Sequence, residues 1–148
     1  MEATTTVAQL LRTKGHQVWS IAPDVSVFDA LRKMADHDVG ALLVLDGHAL
    51  AGIVSERDYA RKVILMGRAS RDTPVRDVMS EKVFTVAPEN TMHDCMEQMT
   101  EHHVRHLPVL RDGTVIGVLS IGDVVKATIS EQASLIEQLQ RYIQGGAM

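Results

Sequence analysis

The chain has 148 residues, of which 45% are hydrophobic, 23% charged and 3% aromatic, and it carries a formal net charge of −4. That size suits one compact domain or two small intertwined units with an aliphatic, methionine-rich core, and the negative balance argues against nucleic acid as a partner. No apolar run reaches the roughly 18 residues of a membrane span, no apolar secretory segment opens the chain, and a single cysteine, Cys95, fits a reducing cytoplasm.

Residues 6–11 read as a short lead-in helix. Beyond them the chain is built on a repeat: a shift of 65 residues aligns 18–62 with 83–127 without a gap. Each copy predicts strand, helix, strand, strand, helix. The first strand stops at Pro23 or Pro88, where a ladder cannot continue. Ser26 and Thr91 then open helices, each with an aspartate three residues on, Asp29 or Asp94, in a capping-box-like arrangement. Val27, Ala30, Leu31, Met34 and Ala35 mark one buried helix face, and Met92, Cys95, Met96, Met99 and Thr100 repeat it. Strands are expected at 41–45 and 50–54, joined at Asp46-Gly47, and at 107–110 and 115–119, joined at Asp112-Gly113. A final helix begins after Ser55 or Ser120.

The order predicts a first unit over 7–66 that includes the lead-in helix, and a linker over 67–74. A second unit comes next, over 75–129, then a C-terminal helix over 130–144. Thr73-Pro74 starts a short helix running through Val78 and Met79. The C-terminal helix carries an apolar stripe, Leu135, Ile136, Leu139, Tyr142 and Ile143, and ends at Gly145-Gly146. Neither copy buries enough apolar surface alone, so the two are expected to pack together.

Two heptapeptides hold the residues of chemical interest, Gly52-Ile53-Val54-Ser55-Glu56-Arg57-Asp58 and Gly117-Val118-Leu119-Ser120-Ile121-Gly122-Asp123. A serine ends a strand and an aspartate follows in the first helical turn. A plain capping box accounts for both residues. A binding site accounts for them too, because a helix N-terminus presents backbone donors and an aspartate can accept both hydroxyls of a ribose.

In this arrangement the sequence resembles a tandem pair of cystathionine β-synthase (CBS) domains, a Bateman module, over about residues 7–128, and in particular small stand-alone bacterial CBS-pair proteins. The resemblance rests on Ala22-Pro23 and Ala87-Pro88, on Val39 with Leu42 and Val104 with Leu107, on Leu107-Pro108-Val109, and on the paired Gly…Ser-x-x-Asp turns. It implies an α/β (α+β) fold of two βαββα units packed with pseudo-twofold symmetry, plus the C-terminal helix. It further implies two clefts between the sheets that take AMP above all, or ADP, ATP, NAD or S-adenosylmethionine, and pairing of modules into a homodimer.

Carried over by residue, Asp58 and Asp123 would hold ribose hydroxyls, and Ser55 and Ser120 would face phosphates. Val18, Trp19 and Val39, or Val83, Phe84 and Val104, would wall the base, and backbone at Ile53 or Val118 would read its edge. Arg105 and His106 match family positions that meet phosphate, whereas Gly40 and Ala41 stand there in the first copy; Arg57 faces Gly122 across the repeat. The two sites are therefore expected to differ. Lys14 is placed near the first site, and Lys82 lies in the corresponding shorter loop of the second copy.

His102, His103 and His106 lack the spacing of a zinc hydrolase, and no metal is expected. Cys95 reads as packing. No glycine-rich phosphate loop or catalytic triad is visible, so the expectation is a non-catalytic, cytoplasmic nucleotide sensor with an unknown protein partner. The competing expectation is a structural interaction module with no physiological nucleotide.

Overall fold

A computed structural model describes residues 4–146. In chain order the elements are α1 (Val7–Lys14), β1 (Ser20–Ile21), α2 (Val27–His37), β2 (Ala41–Asp46), β3 (Ala49–Ser55), α3 (Glu56–Tyr59), α4 (Met92–His102), β4 (His106–Arg111), β5 (Thr114–Ser120) and α5 (Ile121–Gly146). A π-helical turn over Ala60–Ile64 extends α3, and a 3₁₀ turn occupies Val75–Asp77. Both copies thus have the mixed α/β build that the repeat predicts.

The duplication extends to detail. β2 and β3 pair antiparallel, as do β4 and β5, and each hairpin breaks register at the same place, after Val44 or Val109. Asp38 and His103 close α2 and α4 in the left-handed conformation, φ 52° and 54°. Thr91 and Asp94 form a complete capping box, while at Ser26 only the serine half is made. The second hairpin turns at Asp112-Gly113, both with positive φ. The first turns at Gly47-His48, one residue later than the sequence suggests, because Asp46 is still paired with Ala49.

The copies differ at the first strand. In the first copy β1 lies parallel to β2, and the Leu43 N–H donates to the Trp19 carbonyl. Pro108 occupies Leu43's place in the second copy and has no N–H to give. There the expected strand shrinks to a single bridge between Val86 and Val109.

Residues 18–83 form one compact unit, and residues 4–17 join residues 84–146 in the other. Chain order had placed the lead-in helix with the first copy. Its buried residues Val7 and Leu11 instead share a core with Met92, Cys95, Met99, Leu107, Val109, Leu119 and Val124. The Val7 N–H donates to the Asn90 carbonyl and the Ala8 N–H to the Pro88 carbonyl. The first copy's core of Val27, Ala30, Met34, Leu42, Val44, Val54 and Val63 is completed by Val75 and Val78 of the middle segment. There the Val75 N–H donates to the Val25 carbonyl and the Arg76 N–H to the Pro23 carbonyl. Pro74 sits just before this 3₁₀ turn, which is shorter than the helix expected through Met79.

The final helices also differ. α5 runs unbroken for 26 residues, so the expected separate C-terminal helix is its continuation. Burial pushes the Cys95 thiol up to about 11, as suits a packing residue.

Candidate functional site

Both Ser…Asp turns close as capping boxes. In the first, the Ser55 N–H donates to Asp58 Oδ2 at 2.9 Å and the Asp58 N–H to Ser55 Oγ at 3.2 Å. In the second, the Ser120 N–H donates to Asp123 Oδ2 at 2.8 Å and the Asp123 N–H to Ser120 Oγ at 3.2 Å. The first N–H of each ensuing helix is taken as well, Glu56 by the Gly40 carbonyl and Ile121 by the Arg105 carbonyl. Capping therefore explains the spacing, and it also fixes each carboxylate at a helix N-terminus, where negative charge is favoured.

Each acid meets a lysine. Lys62 lies 3.2 Å from Asp58 Oδ1, one turn along the same helix. Its counterpart in the repeat is Ala127. The second copy draws its cation from elsewhere: Lys14 Nζ lies 2.6 Å from Asp123 Oδ2 and 2.5 Å from the Val118 carbonyl oxygen. Sequence order had set Lys14 beside the first site; packing of α1 with the second copy carries it to Asp123. Burial, the largest influence on Asp123, pushes its pKa up. The hydrogen bonds from Lys14 and the Ser120 N–H and the Lys14 charge outweigh it, and the carboxyl sits below the usual range. An ionised carboxylate only accepts hydrogen bonds, which suits a diol.

His106 opens β4 and is half-buried. Burial, then the Lys14 charge, lower its pKa against the opposing pull of Asp123. His106 thus feels the charges of Lys14, Asp123 and Arg105 in the second copy, while Gly40 and Ala41 hold the positions of Arg105 and His106 in the first.

The strand edges beside these turns are closed differently. Ile53 exchanges two backbone hydrogen bonds with Ser80, 3.0 and 2.9 Å long. Along β5 the carbonyls of Ile116 and Val118 are met by side chains, His16 Nδ1 at 2.9 Å and Lys14 Nζ.

The proposed base walls carry a feature that sequence reading missed. Trp19 stacks on His37 with ring centroids 3.5 Å apart, and Phe84 stacks on His102 at 3.6 Å. The aligned His37 and His102 were the signal that could have revealed it, because each ends its helix and recurs 65 residues apart, as Trp19 and Phe84 do. Val18, Trp19, Val39, Gly40, Ile53, Ser55, Arg57, Asp58, Lys82 and Val83 fall in the first copy's unit. Lys14, Phe84, Val104, Arg105, His106, Val118, Ser120, Gly122 and Asp123 fall in the second's, so Lys82 and Val83 part from the site to which sequence order assigned them.

Among the described residues, no three His, Cys, Asp or Glu side chains gather as a metal site. No helix among them is long and apolar enough to cross a membrane.

Two repeated copies, βαββα in the first and αββα with a single bridge in place of strand one in the second, each with a capped Ser-x-x-Asp turn before its last helix, define a pair of CBS domains. The CBS domain family model matches residues 5–64 and 75–141, and the chain belongs to this family. The CBS domain-containing protein CBSX3, mitochondrial, of Arabidopsis thaliana is 43% identical over 96% of this chain and 73% of its own length. A putative signal-transduction protein with CBS domains from Burkholderia ambifaria is 49% identical, with a TM-score of 0.83 over 86% of this chain and 96% of that one. The CBS domain protein PAE2072 from Pyrobaculum aerophilum, solved with AMP, shares the fold at 24% identity and a TM-score of 0.71, over 80% and 89% of the two chains.

Proposed function

We propose that the chain is a cytoplasmic, non-catalytic regulatory module that binds adenosine nucleotides, AMP foremost, at two non-equivalent Ser-x-x-Asp turns. One observation carries the reading: Asp123, held ionised at a helix N-terminus, is paired with the Lys14 ammonium, and His106 beside them feels the charges of Lys14, Asp123 and Arg105. A carboxylate for a diol beside cations for phosphate is the chemistry of a nucleotide. The same fold holds AMP in PAE2072. ADP, ATP, NAD and S-adenosylmethionine present the same adenosine and are the competing ligands. Lys62 at Asp58, with uncharged Gly40 and Ala41, gives the first turn fewer phosphate partners.

A ligand that binds only the folded state stabilises it, by about 2.7 kcal/mol at a hundred times its Kd. A thermal-shift series with these five compounds at millimolar concentration is expected to raise Tm, with Asp58→Ala and Asp123→Ala each removing part of the shift. No shift with any of them overturns the reading. The exposed apolar stripe of α5 favours a second activity, self-association into a homodimer, which would then stand as the module's function without a nucleotide.

A further inference from the structure

We propose that Lys14 is a movable latch that takes the nucleoside's place at the second turn, so that Ser120–Asp123 is the exchangeable site of the pair. The proposal rests on the nucleotide reading of that turn. Two groups there are assigned to the nucleoside, the Asp123 carboxylate to the ribose and the Val118 backbone to the base edge. A single ammonium covers both, 2.6 Å from Asp123 Oδ2 and 2.5 Å from the Val118 carbonyl oxygen. A ribose diol offers the carboxylate two O–H donors in exchange for the ammonium's N–H donors.

The first copy closes the same position by different means. Ile53 is tied through both its N–H and its carbonyl to Ser80, backbone to backbone. Ser80 lies hard against Gly52, and a Cβ there would come within 2.7 Å of the Ser80 oxygen. Opening that edge requires moving main chain. Opening the edge at Val118 requires only rotation of a lysine stem. The Lys14 and Asp123 side chains are 32% and 26% exposed, and ion pairs so close to solvent are weak enough to be exchanged. Once displaced, the ammonium has His106 near by, whose pKa its charge already lowers, and is free to meet a phosphate.

A latch lowers apparent affinity by the fraction of molecules in which it is open. Calorimetric titration of the full chain with adenosine, which has no phosphate, isolates this effect. Lys14→Met keeps the stem and removes the charge; it is expected to tighten adenosine at one site by roughly five-fold and to tighten AMP less, because the phosphate loses a cation. Lys14→Arg, which can hold the carboxylate through two parallel bonds, is expected to bind adenosine no better than wild type. Adenosine affinity that is unchanged or weaker in Lys14→Met, while Asp123→Ala still removes a site, overturns the latch and leaves the nucleotide reading standing. No binding of adenosine or AMP by wild type or Lys14→Met overturns the nucleotide reading and the latch with it.

Discussion

Gly52 and Gly117 begin the two motif heptapeptides, and each has a packing reason to be glycine. A Cβ at Gly52 would stand 2.7 Å from the Ser80 carbonyl oxygen and 2.9 Å from Met79 Sδ; one at Gly117 would meet Leu11 Cδ2 at 2.7 Å. The first clash is with main chain held by two hydrogen bonds, the second with the end of a side chain that can turn. Gly52→Ala is therefore expected to cost about 3 kcal/mol and Gly117→Ala about 1 kcal/mol. Urea midpoints of the two variants check this, and the reverse ranking would refute it. What was legible at this scale was local. A serine and an aspartate three apart specify a cap from their own spacing, and both caps form. Lys14 reaches an aspartate 109 residues away, a distance no local pattern spans. His106 owes its lowered pKa to burial and to that same distant lysine.

At the scale of elements, helices with period-3.6 apolar faces were readable, and strand one of the second copy was not, because Pro108 lies outside the strand it undoes. α5 ran longer than expected because residues 123–144 contain neither glycine nor proline, with Gln132 at the place of Gly67, whereas in the first copy the corresponding helix gives way to a π-helical turn and then Gly67 at φ 70°. Its exposed face has a heptad order: Ile129, Ile136 and Ile143 seven apart, with Val125 and Leu139 four residues before Ile129 and Ile143. Ile143 is 68% and Ile136 55% exposed. Isoleucine at one heptad position and leucine at the other favours two helices side by side, which supports a second copy of this chain as the occupant. Ile136→Glu with Leu139→Glu is expected to give a monomer by light scattering while leaving Tm changed by only a few degrees, since neither side chain is in the core. A wild-type monomer, or a double variant that still dimerises, would count against it.

For the whole molecule, the repeat revealed two cores of matching design but not their membership. Equal spacing of copies along a chain does not specify which copy a lead-in segment joins. Val7 and Leu11 complete the second core, and Val75 and Val78 complete the first. Leu11→Ala should destabilise by about 2–5 kcal/mol, as a buried leucine truncation does. Hydrogen exchange should locate the loss in α4, β4 and β5, though Leu11 is sequence neighbour to the first copy. Faster exchange confined to β2 and β3 would contradict this assignment.

The same membership has a consequence for synthesis. Emerging from the ribosome N-terminus first, α1 appears before any residue it packs against, and its last core partners, Val124 and Ala127, come more than a hundred positions later. The first copy, by contrast, has every core residue once Val78 has emerged. Translation thus offers a complete first core early, while α1 waits exposed for its partners, and a cut between the copies would leave the second without the helix that finishes it.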